Sequence, residues 1–198
     1  GDLLIALLNT QPAALAQIDG IFTAVVHNSQ TREIHLISDR YGLRPCFWSL
    51  MNGSLAWASE MKALCHLPGF RPKVNRQALN AFLKVGYFFG HDSWFEEIER
   101  LPPATILTYS LADRSITQKR YWWWDQIPSF SSVQSEQDLA EELGRRFIQA
   151  VERRCPPEDS IGLVLSGGLD SRAILAAIPN PANPVPVFTF GRPESPDV

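Results

Sequence analysis

Cysteine is scarce in this 198-residue sequence. Cys46, Cys65 and Cys155 are too few and too scattered for a disulfide framework or a CxxC metal site. A reducing cytoplasmic compartment is the expectation that follows. Positive charge is not in excess either: 18 Lys and Arg stand against 21 Asp and Glu, for a net charge of −3. That balance leaves no electrostatic footprint for nucleic acid or for an anionic membrane surface. No run approaches the roughly 18 apolar residues of a spanning helix. His27, His35, His66 and His91 lack HxxxH or HxH spacing, which speaks against zinc. The sequence opens Gly1-Asp2 without a Met or a basic-plus-apolar leader and stops at Pro196-Asp197-Val198, so the expectation is an internal piece of a longer protein. At 45% hydrophobic and 20% charged, what remains is an ordinary globular composition, sufficient for one domain or two small ones.

Two patterns divide the chain. From residue 1 to 121 it reads as an α+β layer of antiparallel meander with helices. Ile21 to Val26 is β-branched and aromatic, Glu33 to Ile37 alternates in period two, and Phe47–Leu50 and Leu55–Ala58 flank an Asn52-Gly53 hairpin turn. Ser59 is placed to cap a helix over 60–67, and Asn75 to cap one that runs through Leu79, Phe82 and Leu83 to Gly86. Thr105–Tyr109 and Ile116–Tyr121 make a last strand pair across Asp113-Arg114. Asp92, Glu96, Glu97 and Glu99 read as a solvated acidic loop around Trp94 and Phe95. Residues 122–134 have neither period and read as a linker. From 135 onward the class changes to α/β. Ser135 and Asp138 have capping-box spacing, and Leu139, Leu143, Phe147, Ile148 and Val151 form one apolar stripe. Ile161–Leu165 reads as a strand buried on both faces of a parallel sheet, with a helix from Arg172 to Ile178 and a second strand over Pro184–Phe190.

Between that strand and helix lies Ser166-Gly167-Gly168-Leu169-Asp170-Ser171. Open α/β sheets bind ligands at the carboxyl edge of their strands. Gly167 and Gly168 allow positive φ and close approach of backbone N–H groups to an anion, while a helix N-terminus and the Ser166 and Ser171 hydroxyls add donors. This suits a phosphate or pyrophosphate. Asp170 would repel one unless a cation lay between, which argues for Mg²⁺ bridging Asp170 to the phosphates. The loop is not a Walker-type P-loop, which needs GxxxxGK(S/T), because no Lys occurs from Ser166 to the end; nor does it have GxGxxG spacing. A tight turn with Asp170 and Ser171 as helix caps is the plainer alternative.

The hexapeptide resembles the pyrophosphate loop of the N-type ATP pyrophosphatases, most closely that of glutamine-hydrolysing asparagine synthetases. Other segments resemble the same family in the same order. Asp19-Gly20-Ile21-Phe22-Thr23-Ala24 is similar to its Gly-x-Phe-Ala-Phe strand, and Ser38-Asp39-Arg40-Tyr41-Gly42-Leu43-Arg44-Pro45 to its Arg-Asp-Arg-x-Gly-x-x-Pro segment. Ala58-Ser59-Glu60-Met61-Lys62-Ala63-Leu64 is similar to Ala-Ser-Glu-x-Lys-Ala-Leu. Leu101-Pro102-Pro103 with Arg120-Tyr121-Trp122 resembles the end of the amidotransferase domain, and Gly191–Asp197 a segment after the second synthetase strand.

The resemblance implies an Ntn-type glutaminase domain over 1–121 and the start of an ATP pyrophosphatase domain over 135–198. The implied chemistry uses glutamine, aspartate and ATP with Mg²⁺: ATP adenylates the aspartate carboxylate, and ammonia from glutamine amidates it. A homodimer is compatible with it. Ser166, Gly167, Gly168, Leu169, Asp170 and Ser171 would hold the ATP pyrophosphate, with Asp170 on the metal and Val164 and Phe190 at strand ends beside the nucleotide. The family's N-terminal Cys nucleophile, its early Arg and its Asn-Gly-Glu segment have no counterpart here; position 1 is Gly, and Asp2 stands within a residue or two of a substrate-binding Asp. This chain alone is therefore expected to turn nothing over. Arg172 stands in place of a small residue after the loop and is read as pairing either with a phosphate or, as a surface side chain, with a carboxylate, the surface reading being preferred at a helix start, and Ala104 stands in place of a Gly. Asp39-Arg40 is read as a strand-end salt bridge or turn, and Trp122-Trp123-Trp124 as interdomain packing without basic neighbours. Two rivals stay open: an adenylating ligase of β-lactam synthetase or lasso-peptide cyclase type with an inactive first domain, and a non-catalytic homologue.

Overall fold

A computed structural model of the chain describes residues 5–6, 12–127, 135–156, 161–179 and 184–191. It separates into two compact units, Gly1–Pro128 and Ser129–Val198. The expectations for Gly1-Asp2, for residues 128–134 and for residues 192–197 lie outside the described residues.

In the first unit, β1 (Thr23–Asn28), β2 (Glu33–Ser38), β6 (Thr105–Ser110) and β7 (Ile116–Arg120) form an antiparallel sheet in the order β1-β2-β6-β7. A second antiparallel sheet, β4-β3-β5, comprises β4 (Ser54–Ala58), β3 (Phe47–Met51) and β5 (Glu99–Arg100). Alternation along β2 decides which layer each side chain enters. Leu36, with Leu107 and Tyr109 of β6, packs on Cys46, Trp48 and Leu101 between the sheets. Ile37, with Ile106, faces the other way and is covered by Leu15, Tyr121 and Trp122. The outer side of the second sheet carries Leu64, Phe70 and Ile98. Leu64 belongs to α1 (Met61–Cys65). Two sheets with helical cover match the expected antiparallel α+β layering.

Local chemistry explains the connections. Asn52 (φ 50°) and Gly53 (φ 74°) make the β3–β4 turn, where two left-handed residues match the strand twist. Asn75 caps α2 (Arg76–Val85), its side chain accepting from Ala78 N at 3.0 Å, and Gly86 ends the helix at φ 83°. Two expectations need correction. Ser59 does not cap α1: Glu60 occupies the cap position in extended backbone without a side-chain cap bond, and its carboxylate instead pairs with Lys62. The acidic stretch is not merely solvated. Ser93 is 1% exposed, its hydroxyl donating to Ile98 O (2.6 Å) and accepting from Phe95 N (3.1 Å), and Glu97 accepts from Lys73 N (2.8 Å). Short polar bonds of this kind leave no periodicity for a sequence reading to detect.

The second unit contains α3 (Glu136–Glu152), β8 (Leu163–Val164), α4 (Leu169–Ala177) and β9 (Val187–Phe188), with β8 and β9 parallel. The Ser135–Asp138 capping box is formed in both directions. The expected double burial of the first strand is not observed: Val164 is 57% exposed, and Phe188, opposite it on the second strand, 52%. Covering both faces of such a strand requires flanking strands and two helical layers. The described residues of this unit supply two strands and two helices. Leu143, on the stripe of α3, is likewise 69% exposed.

Candidate functional site

Parallel pairing brings both strand ends of the second unit to one edge. Leu163 N donates to Pro186 O (2.9 Å) and Leu165 N to Phe188 O (2.8 Å), so Val164 lies opposite Phe188, and Phe190 follows at the edge where the Ser166 loop begins. The loop is closed by its own hydroxyls. Ser166 N donates to Ser171 Oγ (3.1 Å), the two serine oxygens are 3.1 Å apart, and Gly168 N donates to Ser166 Oγ (3.2 Å). The Ser171 hydroxyl faces the carbonyls of Ser166 (3.2 Å) and Gly168 (3.4 Å).

Glycine acts here differently from the expectation. Gly168 caps α4 in extended backbone (φ −68°) rather than at positive φ. What Gly168 requires is room: a Cβ there would lie 3.2 Å from Ser166 Oγ, inside the hydroxyl cradle. Asp170 and Ser171 do not cap α4, which begins at Leu169 and has no side-chain cap bond. Asp170 is exposed in the first turn, beside the positive end of the helix. Arg172, read from the sequence as a surface side chain, turns back so that Nε donates to Gly168 O at 3.2 Å.

The second motif cluster lies in the first unit, where distant segments converge on Asp39. Asp39 is 0% exposed and its carboxylate accepts from the N–H groups of Phe22 (3.4 Å), Tyr41 (3.0 Å), Leu43 (3.2 Å) and Arg44 (3.1 Å). Of the two sequence readings, the turn is the one formed. Ser38 Oγ donates to Pro102 O (2.6 Å) and accepts from Thr105 N (3.0 Å), and Tyr121 OH donates to Ser38 O (2.7 Å). Residues 38–45, 101–103 and 120–122 thus form one knot around the buried Ser38, Asp39 and Tyr121. Gly42 (φ 63°) completes it, since a Cβ would lie 3.0–3.4 Å from Pro103. Ala104, in place of a Gly, takes the left-handed conformation at φ 51°. Ser38 and Tyr121 were missed as knot residues; the polar end of an otherwise buried strand is the signal that could have found Ser38.

The Trp run does have basic neighbours. The Arg120 guanidinium lies 4.2 Å from the Trp123 ring centre and that of Arg40 5.4 Å from Trp122, while Trp122 and Trp124 meet Tyr41 edge-on or tilted at 5.7 and 5.8 Å. These contacts lie within the first unit and bind its last strand to the knot. Burial, then the Asp39 charge, pushes the Tyr121 phenol up to about 12. Burial pushes the Cys46 thiol up to about 11, which keeps it protonated and unreactive near neutral pH. His35 is held below its usual value by burial, against the pull of Glu33. Among the described residues no group of three or more His, Cys, Asp or Glu comes close enough to hold a metal unaided, and no helix is long and apolar enough to cross a membrane.

Residues 2–122 match the family model of the glutamine amidotransferase domain, and residues 142–198 that of asparagine synthase. The glutamine-hydrolysing asparagine synthetase 3 of Bacillus subtilis (strain 168) is 29% identical over 175 residues, covering 88% of this chain and 28% of that protein. The glutamine-hydrolysing asparagine synthetase of Pongo abelii is 26% identical over 194 residues (93% and 33%), and the Bacillus subtilis asparagine synthetase 2 is 26% identical over 165 residues (79% and 22%). The chain therefore spans a third or less of the length of these relatives. Antiparallel two-sheet layering under a match over 121 positions defines a glutamine amidotransferase domain in the first unit. The chain belongs to the glutamine-hydrolysing asparagine synthetase family.

Proposed function

We propose that the chain is part of an ATP-dependent asparagine synthetase, in which aspartate is activated as an acyl adenylate and amidated with ammonia released from glutamine. The observation that carries the reading is the Ser166–Ser171 loop: exposed, glycine-cradled, at the carboxyl edge of a parallel strand pair and running into a helix N-terminus. In the reaction, an aspartate carboxylate oxygen attacks the α-phosphorus of ATP and pyrophosphate leaves. Ammonia then attacks the acyl carbon, its nitrogen loses a proton, and AMP departs.

The residues present fit a nucleotide's phosphates. Backbone N–H groups at the start of α4 and the Ser166 and Ser171 hydroxyls are donors, and the gap left by the missing Gly168 Cβ lies beside Ser166 Oγ. Asp170 would hold Mg²⁺, which when bound would supply positive charge to balance the phosphates. Val164 and Phe190 would flank the nucleotide at the strand ends. Three free thiols accord with a cytoplasmic setting. The test is made on the intact gene product carrying this sequence, given ATP, Mg²⁺ and aspartate with either glutamine or ammonium, with AMP, pyrophosphate and asparagine quantified. Asparagine formed with AMP and pyrophosphate in equal amounts is expected. AMP release indifferent to aspartate would move the chain to another adenylating ligase, and no AMP with any acceptor would leave a non-catalytic homologue.

A further inference from the structure

We infer that Arg172 is a phosphate-binding side chain of the Ser166–Ser171 loop, directing its free guanidinium N–H groups to an oxygen of a nucleoside triphosphate or pyrophosphate. The inference rests on the nucleotide reading of that loop given above. From Ile161 to Pro179 only Asp170 and Arg172 carry charge, so Arg172 is the sole cation of the strand, loop and helix. An exposed helical Arg usually reaches for a carboxylate three or four residues away. Here those positions are Gly168, Leu169, Leu175 and Ala176, none of them acidic. No ion pair forms to Arg172 among the described residues. Its side chain folds toward the helix N-terminus, where Nε donates to Gly168 O (3.2 Å). That bond fixes the plane of the guanidinium while the two terminal nitrogens keep their donors, a fork that suits a phosphate edge. The electrostatics call for it as well. Asp170 faces an anionic ligand, no Lys follows Ser166, and a second cation on the helix offsets what the bridging metal ion leaves uncompensated.

The experiment is calorimetric titration of the full chain with magnesium pyrophosphate and with magnesium α,β-methylene-ATP, for the native sequence, Arg172→Gln, Arg172→Lys and Asp170→Asn, with thermal midpoints measured alongside. Loss of one exposed charge-assisted bond is worth about tenfold in affinity. Arg172→Gln is expected to weaken both ligands about tenfold and to flatten the salt dependence. Arg172→Lys should restore part of the affinity, with thermal midpoints unchanged throughout. Native binding with Arg172→Gln within twofold of it would overturn the role of Arg172 and leave the loop reading intact. Absence of binding by the native chain would overturn the loop reading and the inference with it.

Discussion

Two aspartates follow the ends of strands in this chain, and their surroundings are opposite. Asp39 is fully enclosed and spends its carboxylate on four backbone N–H groups, holding residues 38–45 against Pro102 and Pro103. Asp170 is exposed at the start of α4, in a loop bonded by serine hydroxyls and by the Arg172 guanidinium. A buried carboxylate that satisfies backbone donors is architecture; an exposed one beside a helix N-terminus is available to a ligand. Both are flanked by glycine and by motif residues, so residue type alone does not separate them. Burial and the identity of the partners do.

The sharpest way to break the comparison is to delete the buried carboxylate. Asp39→Ala leaves several enclosed N–H groups without an acceptor and is expected to destabilise the first unit by about 4 kcal/mol in denaturant unfolding followed by tryptophan fluorescence. A loss under about 1 kcal/mol would show that the knot does not depend on it. The glycines extend the contrast. Gly42→Ala combines a left-handed φ of 63° with a clash against Pro103 backbone and ring, and should cost about 2 kcal/mol. At Gly162 the tight contact of an added Cβ is with the exposed ring of Phe188, at 3.1 Å, while Pro186 O stands at an ordinary 3.6 Å; Gly162→Ala should cost less than about 1 kcal/mol because that ring can move. Equal costs would erase the distinction between the closed and the open unit.

A smaller effect concerns pH. Cys46 is raised from 9.0 to about 11 and Tyr121 from 10.0 to about 12, so both are neutral in the folded state over a range where the unfolded chain ionises. Their stabilisation is fully present below pH 9 and is lost as pH rises through 9 to 12. His35 is lowered from 6.5, so the unfolded chain takes up a proton first and stability falls as pH drops below 6.5. Thermal midpoints of the first unit should therefore be level near pH 7–8.5 and decline on both sides, and Cys46→Ala should lessen the alkaline decline.

Much of the fold is legible in the sequence because local chemistry and tertiary packing agree. Alternation in Glu33–Ile37, the Asn52-Gly53 turn, the Asn75 cap and the Ser135–Asp138 capping box all appear where residue type places them. What was not legible depends on contacts between distant segments. Ser38, Pro102, Thr105 and Tyr121 meet only after folding, and the guanidiniums over the Trp run are placed by the knot and by β7. The two-residue strand β5 is fixed by its pairing with Phe47 and Trp48 rather than by any pattern of its own. At the candidate site the loop was visible as a motif. The inward turn of Arg172 was not, since it follows from a side-chain torsion and an available carbonyl.

On the proposed reading, Asp170 acts through a cation on a nucleotide's phosphates while contributing little to the fold. The direct measurement is the affinity of the chain for magnesium α,β-methylene-ATP as a function of Mg²⁺ concentration, for the native sequence and for Asp170→Asn, with the thermal midpoint of each. The account predicts Mg²⁺-dependent binding that Asp170→Asn weakens at least about tenfold with the midpoint unchanged. Binding that is indifferent to Mg²⁺ and to Asp170→Asn would contradict it.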